Sequence, residues 1–252
     1  RTTQRVEQNR NYQASRSSGS DNDHWYWAFV LAYSGPVVFT ATFTLENPVM
    51  TSTHATVSGI LKGYDAVPHH HTQVYLNGNL IDDATWLPEA THYFTSTLPQ
   101  FYLINGTNLI TVSAPLDGEI THDYFLVNRF DITYNRHYTA TENTLTFSGD
   151  TAGTWEYQVG AFTTSTIAVF DVSTPTNPAR ILGGSIVPTD GTYQLVFQQT
   201  IPAARKYVAL TSEQHRAPKA IVADVPSDLL ATGNGADYII LTHSDFITAI
   251  QP

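Results

Sequence analysis

Val37-Val-Phe-Thr-Ala-Thr-Phe-Thr-Leu45 places an apolar residue at every odd position and threonine at 40, 42 and 44. Successive side chains of a strand point to opposite faces, so this run reads as a strand with one face buried and one wet. Asn47-Pro48 ends it, because proline cannot donate to a ladder. Working outward, His54–Lys62 repeats the pattern more weakly. Gln73-Val-Tyr-Leu-Asn-Gly-Asn-Leu-Ile81 reads as a hairpin, with Asn77-Gly78 supplying the two positive-φ positions of a tight primed turn. His92–Leu98 and Ile110–Val112 follow as strands. His122–Tyr134 reads as a long one, with Tyr124, Leu126, Phe130, Ile132 and Tyr134 on one face. Strands this frequent, joined by Asn, Gly and Pro, predict a mainly β fold: an antiparallel jelly-roll β-sandwich over 24–134.

Composition agrees. Charged residues are 13% of the 252, too few for a helical bundle, while aromatics reach 12% and suit a pleated, half-buried surface. The net charge of −10 leaves no basic stripe for a phosphate backbone, which argues against nucleic acid as a partner. The chain has no cysteine, so disulfides, thiolate metal sites and a cysteine nucleophile are all excluded within it. No apolar run approaches the roughly 20 residues of a membrane span. Residues 1–23 are polar and read as a linker or N-terminal extension.

Beyond Tyr134 the strands continue at tighter spacing: Thr144–Phe147, Trp155–Val159, Thr166–Val172, Ala179–Leu182, Thr192–Phe197 and Arg205–Leu210. Residues 135–211 therefore form a smaller β module or complete the first sandwich; both remain open at this point. From Ser212 the grammar changes. Tyr238-Ile-Ile-Leu241 is apolar on both faces, as a central parallel strand must be. Ser244 then offers an N-cap for a helix starting at Asp245. Residues 212–252 thus read as the start of a truncated α/β domain, with its first strand.

The run Asn234-Gly-Ala-Asp-Tyr-Ile-Ile-Leu-Thr-His-Ser-Asp-Phe246 resembles the entry to the catalytic domain of gingipain-type bacterial cysteine peptidases, which have a caspase-like α/β fold. Val74-Tyr-Leu-Asn-Gly78, Asp83-Ala-Thr-Trp86, Gly106-Thr-Asn-Leu-Ile110 and Leu126–Tyr134 are similar to the β-sandwich preceding that domain. Val169–Pro178 and Arg205–Leu210 are similar to the short module between them. The resemblance implies a secreted, extracellular or cell-surface cysteine endopeptidase, or a relative working in protein secretion. This chain would be its non-catalytic accessory or pro-region, with the catalytic domain of the same parent chain as partner. The Cys–His dyad would lie on later strands, so no catalytic residue carries over, and His243 does not occupy the family's catalytic position.

The residues themselves suggest further candidates. Asp117, Glu119 and Asp123 cluster around Gly118, and loop oxygens of this kind are calcium ligands; the alternating Asp pattern of a calcium loop is absent, which instead reads as a solvated turn. His69, His70 and His71 form a run in which His69 and His71 would share a strand face. Two ligands fall short of the three or four zinc takes, so an exposed strand start is expected. Trp25, Trp27 and Trp86 offer indole faces for stacking on glycan, the alternative reading being a carbohydrate-binding or adhesion module. Against this stands the usual place of large aromatics, in the core.

Overall fold

The structure is a computed structural model. It describes residues 1–252 except 18, 20, 21, 51, 52, 66, 67, 117, 119, 150, 224–227, 229, 230, 238, 251 and 252. Arg1–His215 form one compact unit and Arg216–Pro252 another.

Among the described residues the first sandwich region has eleven strands: β1 (Thr2–Glu7), β2 (Asn11–Tyr12), β3 (Trp25–Tyr26), β4 (Ala28–Tyr33), β5 (Val37–Leu45), β6 (His54–Gly63), β7 (His70–Leu76), β8 (Asn79–Trp86), β9 (Thr91–Pro99), β10 (Gly106–Ala114) and β11 (His122–Tyr134), of which β2 and β3 form a two-stranded sheet of their own. One sheet has the order β4-β11-β6-β9 and the other β5-β10-β7-β8, every pair antiparallel. Strands equidistant in sequence from the Asn77-Gly78 turn are neighbours: β7 with β8, β6 with β9, β5 with β10, β4 with β11. That is a long hairpin rolled across two sheets, the jelly roll. Its turn has Asn77 at φ 49° and Gly78 at φ 81°, the primed geometry that matches strand twist.

β5 shows why the pattern works. Ala41, Phe43 and Leu45 are buried while Thr40, Thr42 and Thr44 face solvent. Inward residues of both sheets join one core that includes Leu61, Val74, Leu76, Ile110, Val112, Phe125, Phe130 and Ile132. Each such side chain contributes roughly 1.5–3 kcal/mol by leaving water.

β11 departs from the single face read in its sequence. Its register against β6 slips between Val127 and Arg129, a bulge that reverses parity at Asn128. Phe125 and Val127 therefore share the core with Phe130, Ile132 and Tyr134, whereas Tyr124 is only partly buried. The other edge of β11 takes two strands end to end, β4 along 122–127 and β1 along 129–134. Asn128 fills the gap between them: its amide donates to Asp23 Oδ2 and to the Trp25 carbonyl, both at 2.9 Å. The bulge also turns Asp123 inward, which shapes the site described below.

Among the described residues the second sandwich has seven strands: β12 (Thr144–Gly149), β13 (Gly153–Phe162), β14 (Ile167–Asp171), β15 (Ala179–Ile181), β16 (Ser185–Thr189), β17 (Thr192–Ile201) and β18 (Arg205–Thr211). They form sheets β12-β18-β14-β15 and β13-β17-β16 around a core of their own. Its centre is four rings, Phe147 and Tyr207 from one sheet and Tyr157 and Phe197 from the other, with every pair of centroids 4.9–6.4 Å apart. β16 lacks the alternation that marks the others. It is exposed along its length and carries Pro188, which an edge strand tolerates.

In the unit from Arg216 onward the expected strand Tyr238–Leu241 is not found. Tyr238 lies outside the described residues, and Ile239, Ile240 and Leu241 are exposed, in no strand. A doubly apolar strand needs partners on both edges and cover on both faces, and no strand is described in this unit to supply them. The expected helix is a 3-10 turn at Ser244–Phe246 running into α1 (Ile247–Ile250). Its entry is made by His243, whose Nδ1 accepts from the Asp245 N–H at 3.3 Å. No helix among the described residues is long and apolar enough to cross a membrane, a statement that does not bear on β-barrels.

Candidate functional site

Titratable side chains gather at one end of the jelly roll, where the chain passes from β6 to β7, from β8 to β9 and from β10 to β11. The centre is His70, the first residue of β7. Along β7 the even positions His70, Thr72, Val74 and Leu76 are buried, so His70 points into the sandwich and His71 to its side. The expectation that the histidine run is an exposed strand start, with His69 and His71 as the relevant pair, is thereby corrected. His70 is fully buried.

Opposite it stands Asp123, on β11 in the other sheet and also buried. His70 Nδ1 lies 2.6 Å from Asp123 Oδ1, and the His71 backbone N–H donates to Asp123 Oδ2 at 3.1 Å. A carboxylate only accepts, so Nδ1 carries the proton. The pair is a polar tie across the sandwich. Trp86 packs over His70 at 4.2 Å between ring centroids and over His92 at 5.6 Å. The Trp86 indole N–H donates to Thr72 Oγ1 at 3.0 Å. His92 in turn meets Asp82 Oδ2 at 2.8 Å. Outside this layer His71 Nε2 meets Asp83 Oδ1 at 2.8 Å. Hydrogen bonds from His71 and Gln73 hold Asp83 below the usual carboxylate range.

Asp65, in the β6–β7 connection, faces the same end. Both its oxygens are shut from solvent without a hydrogen bond, and His122 Nε2 lies 3.6 Å from Oδ2. Burial raises the Asp65 pKa; His70 and His122 pull it down, and Asp123 pushes it up. The sign follows. A carboxyl whose folded pKa is raised keeps its proton more readily in the fold than in the unfolded chain, so its contribution to stability is present at low pH and falls as pH rises through the folded pKa. Asp65→Asn is therefore expected to raise the melting temperature at pH 7, with the gain shrinking toward pH 3. Thermal melts of both proteins across that range check it.

The arrangement limits the chemistry. His70 Nε2 has no hydrogen-bond partner and abuts Gly63, where a Cβ would lie only 2.5 Å from it. An imidazole sealed in this way has no reach to a substrate proton. Among the described residues no group of three or more His, Asp or Glu side chains is placed to hold a metal ion. For the calcium candidates, Asp117 and Glu119 lie outside the described residues. Asp123, expected on a solvated loop, is instead interior, its oxygens engaged by His70 and His71.

The three tryptophans are not brought together on one surface. Trp27 and Trp86 are core residues, which corrects their reading as glycan platforms. Trp25 alone is open, 42% exposed, with its ring 5.1 Å from that of Tyr12. The groups that sequence reading passed over are Asp65, His92 and His122. One local signal was present for His70: extending the parity of Val74 and Leu76 backwards puts it inside.

No family model matches this chain, and no curated protein matches it in sequence. Its fold recurs in known structures. It overlays on dimeric latent PorU from Porphyromonas gingivalis with a TM-score of 0.60 at 14% identity, over 86% of this chain and 20% of that one. The chain thus spans about a fifth of the length of the chain it overlays. Looser overlays are with the N-terminal CBM22-1-CBM22-2 tandem domain of Paenibacillus barcinonensis Xyn10C (TM-score 0.26, 8% identity, 73% of this chain and 86% of that one). Another is with FMN-binding beta-glucuronidase from Facaelibacterium prausnitzii L2-6 (0.29, 12%, 81% and 38%). At these scores neither carries an argument.

Proposed function

We propose that this chain is the non-catalytic accessory or pro-region of a secreted gingipain-like cysteine endopeptidase, supporting, masking or orienting a catalytic domain of the same parent chain. The observation that carries the reading is the extent of the fold likeness to latent PorU, 86% of this chain through both sandwiches rather than a single sheet pair. It accompanies the resemblance of Asn234–Phe246 and the runs upstream of it. The cysteine-free composition fits: a thiolate nucleophile would have to come from outside these 252 residues. So does the character of the His70–Asp123 pair, which is sealed. Extracellular or cell-surface placement belongs to the same proposal. Purified residues 1–252, offered a library of fluorogenic peptides, are expected to release no product. Hydrolysis that stays with the chain through purification and disappears on a substitution within it would overturn the reading.

A second reading, a glycan-binding or adhesion module, is favoured by one feature, the open Trp25 face beside Tyr12. Loss of oligosaccharide binding on Trp25→Ala is its check.

A further inference from the structure

The second sandwich carries a cleft of about 320 Å³ at its open end, lined by Tyr138, Gly149, Thr151, Trp155, Glu156 and Tyr157. Trp155 precedes Tyr157 and Val159 on the inward face of β13, yet it is 45% exposed because the core ends before it. The indole is nevertheless fixed. Its Nε1–H donates to the Thr151 carbonyl at 3.1 Å. Its ring edge lies on Gly153, which has φ 150°, and a Cβ there would sit 3.1 Å from Nε1. Tyr138 is held as well, its hydroxyl donating to the Ser148 carbonyl at 2.7 Å. Gly149 keeps the floor bare, since a Cβ there would collide with the Tyr157 hydroxyl.

We propose that this cleft is a binding site for an uncharged pyranose unit of a glycan, with the Trp155 face as its platform. An exposed indole locked by its own N–H and by backbone loses little freedom when a ligand arrives, and that saving is what small ligands need. A pyranose presents a C–H face to an aromatic ring and hydroxyls around its edge, where Thr151 and the Tyr138 hydroxyl stand. Charge argues for a neutral sugar. The chain is at −10, and the one carboxylate of the lining, Glu156, already accepts from Gln158 at 2.8 Å. The volume suits one ring rather than a long oligomer, being at the low end for ligand pockets. The proposal shares ligand chemistry with the Trp25 reading but neither its site nor its sandwich, and it is independent of the accessory-region proposal.

The test titrates the whole chain with maltohexaose, cellohexaose and chitohexaose, following tryptophan fluorescence and calorimetry. Wild type is expected to bind at least one of them, at roughly millimolar to tenfold tighter affinity for a single occupied ring. Trp155→Ala should weaken that at least tenfold, Trp155→Phe should retain part of it, and Trp25→Ala should leave it unchanged. Because Trp155 is half exposed, its variants should melt with wild type, which separates lost binding from lost folding. Wild type silent across the three sugars overturns the proposal. So does binding that survives Trp155→Ala, or that is lost only in Trp25→Ala, a result that would place the ligand on the first sandwich.

Discussion

Asp123→Ala is expected to destabilise the first sandwich by roughly 3–5 kcal/mol, the usual cost of removing one partner from a buried, hydrogen-bonded polar pair. For a domain of this size that is a fall of about 10–20 °C in melting temperature. The reason lies in what is left behind. Asp123 accepts from His70 Nδ1 and from the His71 N–H, and the first of these donors is fully buried. An interior donor without an acceptor forfeits its hydration with nothing in exchange. The loss should exceed that of a surface pair such as Arg5–Asp131, where both partners reach solvent and removal costs at most about 1 kcal/mol. Asp123→Asn should fall between wild type and alanine, since an amide keeps one acceptor but turns a donor toward the other. Denaturant or thermal melts of the three proteins measure this; a loss below about 1 kcal/mol for alanine would show that the cross-sheet tie is not holding the sandwich.

Tyr207→Ala is expected to cost about 3–5 kcal/mol in the second sandwich, as large aromatic truncations in packed cores do. Tyr207 is fully buried, stacks within 5.3 Å of Phe147 and touches both rings of the opposite sheet. Its hydroxyl donates to Gln199 at 2.8 Å. Burial, reinforced by the neighbouring Tyr157, pushes the phenol far above its ordinary pKa, so it stays protonated and a donor. Tyr207→Phe keeps the ring and removes the hydroxyl's hydrogen bonds with Gln199 and Tyr157, for an expected loss of about 1–3 kcal/mol. The two sandwiches bury separate clusters. Calorimetry should therefore show the Tyr207→Ala transition moving while the Asp123-dependent one stays, and the converse for Asp123→Ala. A single transition shifted equally by either substitution would refute that separation.

These two residues also mark how far the sequence can be read. β5 and the Asn77-Gly78 hairpin were legible because their signals are local: a two-residue period and a turn that only certain residues can make. The mainly β class and the rolled arrangement follow from many such strands. β16 escaped because an exposed edge strand buries neither face and so has no period to show. Tyr238–Leu241 differs for the opposite reason: its apolar pattern describes what a strand would bury, and among the described residues from Arg216 onward no strand pairs with it.

The candidate site was hidden by distance and by one bulge. His70 and Asp123 are 53 residues apart, and no local rule pairs them. Parity along β7 was enough to send His70 inward. Parity along β11 could not send Asp123 inward, because the slip at Asn128 that reverses the count is invisible without the neighbouring strands. Trp155 was likewise beyond local reading. It has the parity of a core residue, and only the end of the core beside it leaves its face open.

The sequence alone determined which segments are extended, where they turn and which face of most of them is dry, since backbone geometry and solvent exclusion act within a few residues. Tertiary structure decided which strands are neighbours, where parity breaks, and whether a polar or aromatic side chain ends in a partner, in the core or in the open. Those outcomes rest on hydrogen-bond register and packing between residues far apart in the chain, and such contacts exist only once the sheets have assembled.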